Sequence, residues 1–233
     1  MRSLGLWSHE MKRAGPAALL APPALVLLVV FLVAFGTRLG SREGNTAWFL
    51  MTILETGIPL LAGIAAASLI GRDRAVELQL TLPVGYRATL LRRLGVMVGW
   101  TALCALVVSA LLVVTGWWDL LPAASHGLAG QLAWLSPMLW LTALGLLVAA
   151  ALRSAAAATA IVSFVWLFEQ MLAHLFQENP MLRLFHMFAT TYGTAPDEWL
   201  PNRLTLLATA LLLAAAAWPL LGDAERTLGG EKE

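Results

Sequence analysis

Residues 132–172 read LAWLSPMLWLTALGLLVAAALRSAAAATAIVSFVWLFEQML, an almost unbroken apolar tract. As one helix this tract would be about 60 Å long, because each helical residue adds about 1.5 Å. That length is about twice the hydrocarbon thickness of a bilayer, which is about 30 Å. We therefore predict two membrane-spanning helices, 132–152 and 155–172, joined by a tight turn at Arg153 and Ser154.

Four other stretches are also long and apolar enough to cross a bilayer, since a helical span needs about 20 residues. They are rich in Leu and Ala and do not alternate with polar residues, which favours helices over a barrel. We predict an all-α polytopic membrane protein with six transmembrane helices, a single transmembrane domain over 1–233 and no soluble domain of its own. The predicted spans are 17–35, 47–70, 94–116, 132–152, 155–172 and 204–221.

The composition excludes several classes of function. Of the 233 residues, 59% are hydrophobic and 12% are charged, which is about half the charged fraction of an ordinary soluble domain. The 15 basic and 14 acidic residues nearly cancel, so the chain cannot form the basic face that nucleic acid binding needs. Cys104 is the only cysteine, and no GxxxxGK[ST], HExxH or GxSxG motif occurs. We therefore expect neither a metal nor a cofactor in this chain, and no ATP hydrolysis by the chain alone.

The positions of Lys and Arg predict the orientation of the chain, because basic residues are retained on the cytoplasmic side of a membrane. With the N-terminus inside, the outer side keeps Arg38, Arg42, Arg183 and Arg203. We therefore expect a multi-pass protein of the cell membrane, plasma or inner, with both termini in the cytoplasm. The first apolar run is too long for a signal-peptide core, so we expect it to be retained. The basic residues on the cytoplasmic side are then Arg2, Lys12, Arg13, Arg72, Arg74, Arg87, Arg92, Arg93, Arg153, Arg226 and Lys232.

The polar segment 1–16 ahead of the first span has its own helical pattern. Leu4, Trp7 and Met11 recur at helical spacing, which predicts a short helix in the inner membrane interface. Such a helix is suited to anchoring the chain, and equally to contacting a partner.

Residues 71–93, between the second and third predicted spans, read GRDRAVELQLTLPVGYRATLLRR. This segment is too charged to enter lipid and is longer than the two to eight residues of a simple helix connection. Asp73 is a suitable N-cap, and Pro83 and Gly85 end the helix that it begins. An amphipathic cytoplasmic helix of this kind is what a membrane subunit needs to receive force from a soluble partner. A lipid-headgroup anchor is the alternative.

These features together resemble the permease subunits of type-2 ATP-binding cassette (ABC) exporters. That family has six spans, an N-terminal interfacial helix, a cytoplasmic coupling helix between spans two and three, and a longer outer segment between spans five and six. Ala75 and Gln79 replace a glycine and a leucine that are common in the family, which leaves the subfamily open. The resemblance at residue level is carried by Arg72, Asp73, Arg74, Glu77, Leu78, Leu82 and Pro83, followed by Arg92 and Arg93.

The resemblance implies a transport subunit that is not itself an enzyme. It implies a separate ABC ATPase that binds ATP and Mg, and a second permease copy or homologue that completes a dimer in the lipid bilayer. The mostly apolar interior suggests export of a lipophilic or amphipathic substrate. The residues expected to form the ATPase-coupling helix are Asp73, Arg74, Val76, Glu77, Leu78, Leu80, Leu82 and Pro83.

Two carboxylates inside the spans are the candidates for a translocation path, because an ionisable group in lipid is costly and marks a functional site. Glu55 lies four residues before Pro59, and either lines the path or binds a structural partner. Glu169 lies near the end of the fifth span, where we expect it to be solvated. Glu55 also supports an ion-coupled secondary transporter as an alternative, and Glu169 with His174 a less favoured intramembrane hydrolase.

The outer segment 173–203 contains the stretch PMLRLFHMFATTYG, which is unusually apolar for a solvated loop. In the resembling family this position holds short re-entrant helices that help to close the outer gate. Packing against the tops of the helices is the alternative.

Small residues recur every fourth position in two spans, at Gly63, Ala67 and Gly71 and again at Ala156 and Ala160. This spacing lets helix backbones approach closely. We expect close packing inside the subunit, with a dimer interface as the alternative.

Overall fold

The computed structural model describes residues 16–70, 86–121 and 127–221, which are mostly helical and include no strand. We number the α-helices in chain order. They are α1 (Pro16–Arg38), α2 (Glu43–Thr52), α3 (Ile58–Ile70), α4 (Tyr86–Val114), α5 (Gly127–Gly130), α6 (Leu132–Leu152), α7 (Ala155–Met171), α8 (Ala173–Glu178), α9 (Pro180–Arg183) and α10 (Pro196–Leu220). A π-helix, Ile53–Gly57, joins α2 to α3, and a 3₁₀-helix, Trp117–Leu120, follows α4.

Five helical stretches are long and apolar enough to cross a membrane, judged by length and composition. The fold therefore fits a helical membrane protein. The stretch at α7, Ala155–Met171, is shorter at 17 residues, so a sixth span over α7 stays a prediction. The five stretches are Leu19–Arg38, Glu43–Leu69, Arg87–Val114, Gly127–Leu152 and Pro196–Leu220.

Two helices begin about eight residues before the predicted spans. α4 starts at Tyr86, so the amphipathic stretch 86–93, predicted to lead into the span from 94, is continuous with it, since Arg and Leu are good helix formers. α10 starts at Pro196 instead of 204, with proline in the first turn and Asp197 and Glu198 beside the helix N-terminus. Proline and acidic residues both favour a helix start.

The tight turn predicted between α6 and α7 is present. Arg153 adopts a left-handed conformation with φ of 54°, which ends α6. The Ser154 hydroxyl then accepts a hydrogen bond from the Ala157 N–H at 3.2 Å and caps α7. The two helices consequently turn back on each other within two residues.

Helices α3 and α6 cross with their backbones in contact. A Cβ atom added to Gly145 would collide with the Gly63 carbonyl oxygen, and one added to Gly63 would lie 3.0 Å from Leu141 and Val162. Ala67, next along the same face, is fully buried. Close packing inside the subunit is thus confirmed for Gly63 and Ala67.

The other small residues singled out by their spacing do not share this role. Ala156 and Ala160 are exposed, while Ala158 between them packs in a cluster with Ala67 and Ala149. Gly71 lies outside the described residues.

We name the two ends of the molecule after the predicted orientation. The outer end carries Glu55, Glu169 and Arg203, and the inner end carries Arg87 and Trp218. An apolar cluster next to Glu55 includes Leu54 and Ile58, and brings α2 and α3 against α4, α6 and α10. Its other large buried members are Leu50, Met51, Val108, Leu112, Trp118, Trp134, Met138 and Trp199.

The interfacial helix predicted for 1–16 lies outside the described residues, apart from Pro16, which begins α1. Most of the coupling loop 71–93 also lies outside them, up to its residue 85. The expected coupling-helix residues that fall there are Asp73, Arg74, Val76, Glu77, Leu78, Leu80, Leu82 and Pro83.

Candidate functional site

Glu55 lies in the π-helix that joins α2 to α3. Pro59 has no N–H, so the Glu55 carbonyl lacks the donor that an α-helix would provide four residues later. The Ile58 N–H donates to the Ile53 carbonyl, five residues back, which is the spacing of a π-helix. The Thr56 carbonyl accepts a hydrogen bond from Trp166 Nε1 of α7 at 3.1 Å. Such wide turns are frequent at functional sites, and here the Glu55 side chain is fully buried.

The Glu55 carboxylate has three hydrogen-bond donors around it. It accepts from the backbone N–H of Thr190 at 2.9 Å and from that of Thr191 at 2.7 Å, and it forms an ion pair with Arg203. The Arg203 side chain is also fully buried, and it donates to the Met187 carbonyl and the Thr190 hydroxyl, each at 2.9 Å. Buried charges are tolerated when they are paired and hydrogen-bonded in this way. In this conformation Glu55 binds a structural partner.

Glu169 is 5% exposed, so the expectation that it is solvated is wrong. Its Oε2 atom accepts a hydrogen bond from the Met187 N–H at 2.8 Å and lies 3.6 Å from His186 Nδ1. The expectation fails because the chain after α9 folds back over the end of α7. We call Glu55, Glu169, His186 and Arg203 the charge cluster.

His186 is fully buried, and neither ring nitrogen has a hydrogen-bond partner among the described residues. Its ring lies against three aromatic rings, with centroids 5.5 Å away for Phe176 and Tyr192 and 5.9 Å away for Phe188. The ring of His186 is therefore enclosed by aromatic side chains, with the Glu169 carboxylate at its edge.

The charge cluster binds the backbone of residues 184–195, which we call the outer loop. Residues 186–190 of this loop are buried although they are not helical. Some of its backbone groups bind side chains and others bind each other, as when the Thr194 N–H donates to the Ala189 carbonyl at 2.9 Å, since buried backbone groups need partners. Besides the contacts already described, Asn202 donates to the His186 carbonyl at 2.9 Å, and Trp48 donates to the Thr191 carbonyl at 3.3 Å. The predicted apolar outer segment thus packs against the helices as two short helices followed by this loop.

A half-exposed ion pair closes the edge of the outer loop. Arg183 of α9 binds Glu198 in the first turn of α10, and its guanidinium also donates to the Gln177 carbonyl. The Asn179 side chain caps α9 by accepting from Met181 and Leu182. These contacts fix both ends of the loop that the charge cluster binds in the middle.

His174 and Glu169, the pair considered for a hydrolase, do not meet. His174 Nε2 lies 3.3 Å from Glu178 on the exposed side of α8, and the side chain is 79% exposed. Glu169 is instead buried, and its carboxylate accepts from the Met187 N–H. The geometry therefore gives no support to joint catalysis by Glu169 and His174.

Arg203 is the main residue of the site that the sequence reasoning missed. It was counted as one of four basic residues on the outer side, which treats it as solvated. Its place just before the apolar run 204–221, with Glu55 as an unpaired opposite charge in another span, was the available signal. Intramembrane charges generally pair with one another.

The charge cluster is arranged for binding backbone. Among the residues that the structure describes, no group of three His, Cys, Asp or Glu side chains could hold a metal ion. Both carboxylates accept from loop N–H groups, and Arg203 donates to a loop carbonyl, so the arrangement attaches the outer loop to the π-helix, α7 and α10. Comparison with known proteins found no matching family model, no matching curated protein and no matching solved structure.

Proposed function

We propose that this chain is the membrane-spanning permease subunit of a type-2 ABC exporter, in the cell membrane with both termini in the cytoplasm. One observation carries the proposal. A charged segment with an acidic, then leucine-rich, then proline pattern separates two helical stretches of membrane-spanning length, Glu43–Leu69 and Arg87–Val114. Such a segment provides a surface on which a soluble protein can act.

The proposed partners follow from what the sequence has and lacks. The chain has no phosphate-binding loop, so ATP and Mg are bound by a separate ATPase subunit. That subunit docks on the helix that the sequence predicts over Asp73 to Pro83. A second permease copy or homologue completes the dimer. The substrate is lipophilic or amphipathic, in keeping with the apolar interior.

An ion-coupled secondary transporter using Glu55 is the second candidate. The observation that favours it is the complete burial of this carboxylate inside a long apolar helix. Against it, Arg203, Thr190 and Thr191 occupy both carboxylate oxygens of Glu55. Transport that follows a proton gradient and continues without ATP would favour this candidate over the exporter.

Co-purification with an ATPase tests the docking surface. The adjacent genes are searched for an ABC ATPase, the tagged chain is expressed together with its product, and the complex is isolated from detergent-solubilised membranes. We expect the wild-type chain to retain the ATPase, and Glu77→Lys and Leu80→Asp to lose it. Glu178→Lys is the matched control, because it makes the same charge change on an exposed residue of the outer segment. An ATPase that never binds, or that binds all four chains equally, would remove the proposal.

Labelling of single cysteines tests the orientation. In a Cys104→Ala background, Gln79→Cys places a thiol in the coupling loop and His174→Cys places one on the exposed side of α8. A membrane-impermeant maleimide should label the His174→Cys variant in intact cells and the Gln79→Cys variant in inside-out vesicles. Labelling of both variants from the same side would contradict a cytoplasmic coupling loop.

A further inference from the structure

The inner end of α10 contacts the start of α4. The Arg87 guanidinium lies over the Trp218 ring, 5.1 Å from its centroid. Leu90 of α4 also packs in one apolar cluster with Leu146, Ala217 and Leu221. The start of α4 directly follows the coupling loop residues 71–85. Whatever displaces that loop therefore acts next to the inner end of α10.

The outer end of α10 carries the residues that bind the outer loop. Arg203 pairs with Glu55 and donates to the Met187 carbonyl. Asn202 donates to the carbonyls of Arg183 and His186. Trp199 Nε1 donates to the Thr190 hydroxyl at 2.9 Å. A shift of α10 along or across its axis would change all of these contacts together.

The part of α10 between its two ends is built to be stiff. Residues 204–217 contain neither Gly nor Pro and consist mostly of Leu and Ala, which are the strongest helix formers. Sharp kinks in helices occur at Pro, Gly pairs or π-bulges, and this stretch has none of them. Leu206 and Ala210 are buried on one side, where Thr209 also accepts a hydrogen bond from Trp140 of α6 at 3.1 Å.

The coupling loop is also connected to Glu55 through α3, but this second connection contains an irregular turn. It runs along α3, which begins immediately after the π-helix Ile53–Gly57 and contains Pro59 in its first turn. The irregular turn lies at Glu55 itself. The ion pair between Glu55 and Arg203 therefore joins the irregular turn before α3 to the part of α10, residues 202–218, that contains neither Gly nor Pro.

We propose that α10 transmits displacement of the start of α4 to the outer loop, with the Arg87–Trp218 contact as its inner attachment and the Glu55–Arg203 pair as its outer one. The proposal rests on the proposed function only for the source of the displacement, which is an ATPase acting on the coupling loop. The inner attachment keeps α10 where Arg203 reaches Glu55. Losing that attachment loosens the outer loop at the opposite end of the molecule.

The rate of cysteine labelling in the outer loop tests this linkage. The purified full chain is reconstituted in lipid nanodiscs, in a Cys104→Ala background carrying Thr194→Cys as the reporter. Thr194 is 7% exposed, and its hydroxyl has no hydrogen-bond partner among the described residues. A cysteine at this position should therefore cost the fold little stability. Arg87→Gln and Trp218→Leu each remove the inner attachment. We expect each to raise the maleimide labelling rate of the reporter thiol by about two- to fivefold, the range that corresponds to one cation–π contact.

A matched control and a double variant make the test specific. Trp100→Phe removes a hydrogen bond from α4 to the Leu19 carbonyl of α1, which does not involve α10, and should leave the rate unchanged. In a Glu55→Gln background, where the outer ion pair is replaced by a weaker, uncharged contact, Trp218→Leu should add a smaller increase than in the wild-type chain.

Three results would overturn the linkage. They are an unchanged rate in both Arg87→Gln and Trp218→Leu, an equal increase in Trp100→Phe, or an undiminished effect of Trp218→Leu in the Glu55→Gln background. If Trp218→Leu does not yield folded protein, the test uses Arg87→Gln in its place. Its labelling rate is then compared in the wild-type and the Glu55→Gln backgrounds. The experiment contains no ATPase, so its failure leaves the exporter assignment untouched. Failure of ATPase co-purification likewise leaves the linkage standing.

Discussion

The crossing of α3 and α6 and the charge cluster at the outer end join helices by different forces. At the crossing, Gly63 and Gly145 bring two backbones into contact, and the attraction is close van der Waals packing. At the charge cluster, Glu55 and Glu169 bind the backbone of a non-helical loop. Packing of the first kind depends only on shape and stays in place. Binding of the second kind depends on each charge keeping its partner, so we expect it to be more sensitive to the loss of a single side chain.

Arg203→Met should produce the largest effect, because it leaves Glu55 buried without its counter-ion. Removing one member of a buried ion pair costs about 3–5 kcal/mol. The measurement is the free energy of unfolding by denaturant in mixed micelles. Arg203→Lys keeps the charge with fewer hydrogen-bond donors, and should lose less stability than Arg203→Met. A loss below about 1 kcal/mol for Arg203→Met would show that the pair contributes little, and the contrast with the helix crossing would disappear.

Gly145→Ala should have the second largest effect on stability, because its Cβ atom would collide with the Gly63 carbonyl and push α3 away from α6. Overpacking of this kind costs about 1–3 kcal/mol. The control is Gly99→Ala in α4, where an added Cβ meets nothing within 4 Å. That change should be neutral or stabilising by up to about 1 kcal/mol, since Gly is unfavourable within a helix. Equal losses of stability in Gly145→Ala and Gly99→Ala would mean that the backbones of α3 and α6 are not in close contact.

Glu169→Gln should have a moderate effect that is confined to the outer loop. The amide oxygen can still accept from the Met187 N–H, so we expect a loss of about 1–2 kcal/mol from the weaker, uncharged hydrogen bond. Hydrogen exchange measured by mass spectrometry should become faster in 186–194 and stay unchanged in the α3 and α6 residues around Gly63 and Gly145. Faster exchange at the crossing would contradict the separation of the two regions.

Glu198→Gln should have the smallest effect. It breaks the ion pair with Arg183, in which the two side chains are 38% and 28% exposed. Partly solvated pairs are typically worth about 0.2–1 kcal/mol. The apparent melting temperature, followed by Trp fluorescence, should therefore change little. A loss as large as that of Arg203→Met would mean that charge, and not burial, makes the charge cluster important.

Much of the helical architecture could be predicted from the sequence, because apolar length and the position of breaks are local properties. The turn at Arg153 and Ser154 follows from the length of the tract around it. The packing of Gly63 and Ala67 follows from their spacing. Glu55 stood out because a carboxylate within an apolar run is unusual.

The partners in the site could not be predicted, because they depend on contacts between distant segments. Counting basic residues treated Arg203 as solvated, although it lies opposite Glu55 in the folded chain. Glu169 is buried by a loop whose path no local pattern specifies. The contact of Gly145 with Gly63 could not be predicted from the sequence, since the two residues lie on different helices.

The separation of Glu55 and Arg203 along the chain has a consequence for biogenesis. The two residues are 148 positions apart, so at about 5–20 residues per second a ribosome needs on the order of ten seconds to synthesise the second after the first. During that interval Glu55 has no counter-ion, and a lone carboxylate is costly in hydrocarbon. We expect α2 and α3 to stay beside water or an insertion factor until α10 has been made and has entered the bilayer.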